Sequence, residues 1–228
     1  ANHMESLLAG VPFLNKRVKF PVTPHFPGGL LSPKELSRVA AVADKYGGTI
    51  KIAGGNIIIM DLNLADGKAA LAELDVHPES FISKSVRAVT MCAGKPHCPM
   101  AKQDSTALGM ALDHEFFGRS MPGKLRIGVS GCPNCCAEVH VKDIGVFGTP
   151  QGFTLVIGGN AGRNAKVGKV VAEAVPSEQI HDIVSAVLQF YQQHGKEKER
   201  LGDTFDRVGW EKALAATIPD RYKIALNK

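Results

Sequence analysis

Cys92, Cys98, Cys132, Cys135 and Cys136 are the only cysteines in 228 residues, and all five fall within one window of 45. Their spacing is C-x5-C (Cys92, Cys98), then 33 residues, then C-x3-C (Cys132, Cys136), with Cys135 left over. A secreted disulfide scaffold spreads an even number of cysteines through a small chain, so a local, dedicated site is the better reading. Proline follows Cys98 and Cys132, glycine precedes Cys132, and Gly94 lies inside the first loop. Such residues bend backbone around an object and leave amides free to donate to sulfur. Four thiolates so placed suit a 4Fe–4S cluster. Three other chemistries remain open. Cys132-Pro-Asn-Cys135 is formally a C-x-x-C redox pair, but that reading leaves three cysteines unexplained. A structural zinc site prefers closer pairs than the x5 spacing. The thiols could also be inert and buried. Thiolates kept reduced before assembly favour the cytoplasm.

The elements that must position these residues fall into two groups. "SPKE" at Ser32–Glu35 is a capping box with proline in the first turn, predicting a helix that ends at Tyr46 before Gly47-Gly48. Leu36, Val39, Ala40 and Ala43 keep helical spacing, as if covering a sheet. "TIKIA" and "NIIIMDL", joined by Gly54-Gly55, read as an antiparallel hairpin, and "LADGKAALAEL" as a short helix. The preceding "VTPHFPGGLLS" is too apolar for a solvated linker and is expected to pack. From about Phe81 the pattern changes. "SVRAVTMC" and "KLRIGVS" read as strands running into Cys92 and into Gly131-Cys132, so both cysteine pairs sit in loops after strands and can converge at one end of a sheet. "PMAKQDSTALGMALDHEFFGR" reads as a helix beginning just after Cys98, with Leu108, Ala111, Leu112 and Phe116 on one side. "DIGVFGTPQGFTLVIGG" reads as two strands around a turn at Pro150–Gly152, and "AKVGKVVAEAV" continues the sheet. "PSEQIHDIVSAVLQFYQQHG" is an amphipathic helix, capped at Ser177 and stopped at Gly195, ahead of a charged tail carrying Trp210. The fold class is α+β, with domains expected at residues 5–78 and 79–228.

Charge narrows the partner. The net charge of +5 is too mild to argue for nucleic acid. Its distribution says more. Ser80 to Gln103 contains no acid but carries Lys84, Arg87, Lys95 and Lys102; Ile144 to Ala172 contains none but carries Arg163, Lys166 and Lys169. These stretches flank the cysteines and suit either a solvated surface or a pocket for a polyanion. "LVIGGNAGRNAKVGK" lacks G-x-G-x-x-G, so it does not read as a nucleotide site. No apolar run reaches the roughly 18 residues of a membrane span. The opening "ANHM" reads as a cloning remnant, no signal segment is recognised, and a cytoplasmic protein is expected.

The combined pattern of C-x5-C…C-x3-C, "GCPNCC", the downstream "GGN" and its trailing basic residues resembles the sirohaem- and 4Fe–4S-containing sulfite and nitrite reductases. "FPGGLLS", a helix and "IKIAGGNIIIMDL" are similar to the ferredoxin-like half-domain of that family, and the likeness extends over about residues 18 to 215. The resemblance implies a ferredoxin-like half-domain followed by an α/β domain that binds sirohaem and a 4Fe–4S cluster. It implies that Cys92, Cys98, Cys132 and Cys136 bind the cluster, with Cys136 also bridging to sirohaem iron, and that Cys135 is a small buried neighbour. Arg126, Asn134, Asn160, Arg163 and Lys166 are placed around the carboxylates of sirohaem. Arg87, Lys124 and Arg126, with His25 behind them, are the candidates to hold a small oxyanion and relay protons. The implied reaction is six-electron reduction of sulfite to sulfide, with nitrite to ammonia, or a non-catalytic electron-transfer role, as alternatives. Larger members carry two such repeats; this chain has one, so either a homodimer restores the missing half or a monomer leaves the haem face more open. Electrons are expected from a separate ferredoxin-like or flavoprotein donor.

Overall fold

The computed structural model describes residues 19–53, 55–79 and 83–226, which divide into two compact units at Ser83–Lys84. Gly54 of the hairpin and Phe81 lie outside the described residues. Among the described residues no helix is long and apolar enough to cross a membrane.

The first unit runs β1 (Phe20–Val22), α1 (Pro33–Lys45), β2 (Thr49–Ala53), β3 (Asn56–Leu62) and α2 (Leu64–Leu74). Its antiparallel sheet has the order β1-β3-β2. The start and stop of α1 are written locally. Ser32 and Glu35 complete the capping box reciprocally, and Gly47 (φ +65°) and Gly48 return amides to Asp44 and Ala43 in a Schellman ending. The buried stripe of α1 is Val39, Val42 and Ala43; Leu36 and Ala40, expected inward, are exposed because the stripe is rotated toward Val42. It packs over Ile57, Ile59 and Leu62 of β3 and over Ala70, Leu71 and Leu74 of α2. The apolar loop does pack in part, through Phe26 and Leu31. His25 is half-buried and donates its amide to His77 O at 2.8 Å.

The second unit is a mixed five-stranded sheet with its helices: β4 (Thr90–Met91), α3 (Ser105–Phe116), β5 (Ile127–Ser130), β6 (Ile144–Thr149), β7 (Gly152–Ile157), β8 (Lys169–Val175), α4 (Ser177–His194), α5 (Leu201–Val208) and α6 (Trp210–Thr217). The strands lie in chain order, β4, β5 and β6 parallel and β6, β7 and β8 antiparallel. Ile127, Val129, Ile144, Val146, Leu155 and Ile157 pack with Leu108, Leu112 and Phe116 of α3 and the apolar face of α4 in one core. Alternation then turns Gly128, Ser130 and Gly145 to the opposite face.

Four local expectations are corrected here. The strand expected over "SVRAVTMC" is two residues long, because the Val89 amide is captured at 2.8 Å by the buried Asp113 carboxylate rather than a neighbouring strand. Helix α3 begins at Ser105, not after Cys98: Asp104 caps it by accepting from the Thr106 and Ala107 amides. Within it, Ala111 is exposed while Gly109 and Asp113 are buried. Ser177 is the first helical residue of α4, and Pro176 takes the capping position without a side-chain bond.

Candidate functional site

β4 and β5 are adjacent and parallel, Met91 opposite Val129, so the chain leaves both strands on the same edge. That register brings the two cysteine loops together. Cys92 donates its amide to Val129 O at 3.1 Å, and the Gly131 amide lies 3.2 Å from Cys92 Sγ. Ser105 Oγ, in the first turn of α3, lies 3.2 Å from the same sulfur. The carbonyl of Gly131 faces the other way and accepts from the Lys102 and Gln103 amides at 2.7 and 3.1 Å. Gly131 therefore touches Cys92 through nitrogen and the loop after Cys98 through oxygen. A Cβ there would stand 3.0 Å from Gln103 O and 3.1 Å from Ala101 Cβ. Gly94, at φ +55°, leaves no room for a Cβ against Ser105 Oγ, and its carbonyl accepts the Cys98 amide at 2.8 Å.

All five thiols are free. Cys132 is buried, Cys92, Cys98 and Cys135 are half-buried, and Cys136 is exposed. Cys135 takes the left-handed conformation (φ +53°), and its sulfur lies 3.6 Å from His140 Nε2. Burial first, then the neighbouring thiols of Cys132, Cys136 and Cys92, pushes the Cys135 thiol above its ordinary range. Those four sulfurs are electrostatic neighbours. Among the described residues no group of three His, Cys, Asp or Glu side chains is drawn together around one point. A cubane spreads its thiolates over its corners, and free thiols with an amide already aimed at one sulfur suit it.

The turn that carries Cys132, Cys135 and Cys136 lies on a floor of glycines. Gly128 of β5 and Gly145 of β6 are paired in register. A Cβ on Gly128 would meet Ala137 O and Lys142 Cγ, each at 2.9 Å, and one on Gly145 would run into Val139 O. Ser130 Oγ accepts the Ala137 amide at 3.0 Å, and Gly159 is closed in by the backbone of His140 and Lys142. Two strands thus give up their side chains so that the loop after Cys136 can lie flat. Lys142 is buried there, 4% exposed, with Nζ 3.1 Å from Glu138 Oε2.

The chain then turns on Asp143. Its fully buried carboxylate accepts the Arg126 amide at 2.7 Å and two nitrogens of Arg200 at 3.0 and 2.6 Å, while its carbonyl accepts Gly158. Burial pushes this carboxyl up, and Arg200 and the Arg126 amide pull it down. Asp143 thereby ties the start of β5 and the "GGN" loop to the N-terminus of α5. Lys142, Asp143, Arg200 and Ser105 were all missed by sequence reasoning. The signals available were the "KD" pair after the cysteine turn and a serine in α3, and neither is distinctive alone.

The other expected residues are scattered around this centre. Asn134 is exposed on the cysteine turn itself. Arg126 is exposed, Lys124 half-buried, and Arg87 buried at 3%. Asn160 and Lys166 exchange backbone bonds of 2.9 Å at the base of a loop, where Asn160 Nδ2 donates to Asn164 O at 3.1 Å, and Arg163 is exposed within that loop. Lys166 is engaged from another quarter: its ammonium pairs with Asp203 and Asp206 of α5, which raise its pKa. The stretch is acid-free along the chain but not in space.

Comparison with known proteins bears on what this centre is. Residues 83–224 match the nitrite and sulphite reductase 4Fe-4S domain, and residues 16–77 match the nitrite/sulfite reductase ferredoxin-like half domain. The chain is 29% identical over 204 residues to an assimilatory-type sulfite reductase of Nitratidesulfovibrio vulgaris, covering 89% of this chain and 94% of that one. It is 33% identical over 198 residues to an NAD(P)H nitrite reductase of Bacillus subtilis, covering 86% of this chain but only 25% of that longer one. In fold it resembles dissimilatory sulfite reductase I, with a TM-score of 0.78, 15% identity and coverage of 91% of this chain and 70% of that one. The NirA protein of Mycobacterium tuberculosis gives 0.77 and 18%, over 92% of this chain and 42% of the other. With an α+β fold, a ferredoxin-like half-domain and an iron–sulfur domain holding all its cysteines, the chain belongs to the nitrite and sulphite reductase family and is a sulfite reductase-like oxidoreductase.

Proposed function

We propose that this chain reduces sulfite to sulfide with sirohaem and a 4Fe–4S cluster, the cluster held by Cys92, Cys98, Cys132 and Cys136. The Gly131 amide on Cys92 Sγ carries this reading, because it joins the two cysteine loops into one cradle. An N–H aimed at sulfur is the kind of outer contact that orients a ligand to a metal centre. Cys136, the exposed thiol of the four, is assigned to face sirohaem. Arg163 and Asn134, exposed on the loops around the turn, are assigned to sirohaem's carboxylates, with Asn160 holding its loop in shape. Lys166 joins them as a charge shared with Asp203 and Asp206.

Bound here, sirohaem would supply the redox chemistry for a small oxyanion, its carboxylates held by Asn134, Arg163 and Lys166. The protein's own task is to hold that anion and bring protons to its departing oxygens. Arg126 is the first candidate to hold it: its side chain is exposed while its amide is locked on Asp143. Arg87 and Lys124 are the further candidates, and electrons come from a separate donor.

Sulfite is favoured by the likeness to an assimilatory-type sulfite reductase along 94% of that protein's length. Nitrite is the second reading, on the likeness to NAD(P)H nitrite reductases. Anaerobic steady-state assays with a chemical reductant decide between them. Sulfide release with the higher kcat/KM for sulfite supports the proposal; turnover of neither anion by protein loaded with iron, sulfide and sirohaem rejects it.

A further inference from the structure

Among the described residues Lys142 is the one lysine in the buried set, and its place is specific. Its stem and the carbonyl of Ala137 share the space above Gly128, and Ala137 follows Cys136 directly. Its ammonium reaches Glu138, whose amide donates to Cys135 O at 2.8 Å and whose backbone is left-handed at φ +55°. Both members of the pair are thus part of the loop that carries three of the five cysteines. They differ sharply in solvation. The Lys142 side chain is 5% exposed and that of Glu138 69%, so water screens the carboxylate while the ammonium acts through protein.

We propose that Lys142 is a buried counter-charge that sets the reduction potential of the iron–sulfur centre, with Glu138 as its exposed attenuator. This rests on the cluster assignment of the preceding section. One-electron reduction of a cluster adds a negative charge, which a nearby unscreened cation stabilises, so the potential is held up. Lys142 is a positioning and tuning residue on this view; it ligates nothing.

The test is a redox titration of the loaded protein followed by electron paramagnetic resonance, with iron and labile sulfide measured on each sample. Lys142→Met is expected to move the midpoint potential to a more negative value, and Lys142→Arg to restore it. Glu138→Gln, at an exposed position, is expected to move it the opposite way by a smaller amount. A purely structural role for the pair moves both variants in the same direction or neither. That result overturns the proposal, and an unmoved Glu138→Gln alone overturns it even where Lys142→Met does not load. A wild-type chain that takes up no iron and sulfide fails earlier: it rejects the cluster assignment and this inference together.

Discussion

The Gly131 amide lies 3.2 Å from the sulfur of Cys92 across 39 positions of sequence, and the Gly131 carbonyl accepts two amides from the loop after Cys98. One residue, through the two peptide groups that flank it, thus fastens both cysteine loops. Gly131→Ala is expected to destabilise the second unit by about 1–3 kcal/mol through overpacking against Gln103 O and Ala101. Because it pushes those loops apart, iron and labile sulfide per chain should fall even where the melt stays cooperative. Full metal content in this variant would show that the fastening is incidental.

Cys135 and Cys136 are adjacent but separable. Cys135 turns its sulfur to His140 through a left-handed backbone, whereas Cys136 is exposed. Cys135→Ala should keep the metal content of the wild type. Cys136→Ser should lose the cluster and any haem absorption coupled to it. Equal loss in both would place Cys135 among the ligands.

Arg126 offers a clean test of anion binding, since the hydrogen bond its backbone N–H donates to Asp143 survives any side-chain change. Arg126→Met is expected to raise KM for sulfite about 10- to 100-fold, the range for losing a hydrogen bond to a charged group. Thermal stability should not move. An unchanged KM removes Arg126 from the site.

The Asp143–Arg200 pair is buried on one side, with Asp143 at 0% and Arg200 at 22% side-chain exposure. Arg200→Met strands the carboxylate and should cost about 3–5 kcal/mol near neutral pH. Without Arg200, burial leaves the folded-state pKa of Asp143 above the ordinary value of 3.8, so the deficit is smallest below that pH and grows as pH rises. Denaturant melts from pH 3 to 8 would show this slope; a flat deficit would mean that Asp143 is not the titrating group.

Glu199 behaves oppositely. The Arg207 guanidinium chiefly, with the Lys196 amide and the Thr204 hydroxyl, holds its carboxyl down at about 2 despite partial burial. A depressed acid contributes stability that is present above its ordinary value of 4.5 and is lost as pH falls through about 2. Glu199→Gln should therefore cost about 1.5–3 kcal/mol at pH 7 and nothing measurable near pH 2. A difference that persists into strong acid would point to packing instead.

Much of this molecule was legible as local chemistry. Ser32 and Glu35 close a capping box three residues apart, Gly47 and Gly48 end the same helix, and β2 and β3 meet across one short turn. In each case the partners are neighbours in the chain, so spacing alone implies contact. The meeting of the two cysteine loops was legible for another reason: loops that follow adjacent parallel strands leave the sheet at the same end. Helix α3 and the strand before Cys92 went wrong where a distant group intervened. Asp113 takes the Val89 amide, and Gly131 takes the amides of Lys102 and Gln103.

What spacing could not convey were the relations set by strand register and by burial. Gly128 and Gly145 look like weak points in two strands until their pairing shows them clearing one floor for the loop after Cys136. Lys166 looks like a free cation until Asp203 and Asp206 arrive on α5. Lys142 looks like a surface lysine until its stem is found above Gly128 with its ammonium out of water. Hydrogen-bonding type and turn chemistry are properties of a few consecutive residues, and the chain carries them openly. Desolvation and charge pairing depend on which segments fold against each other, and these come into being only when the sheet is assembled.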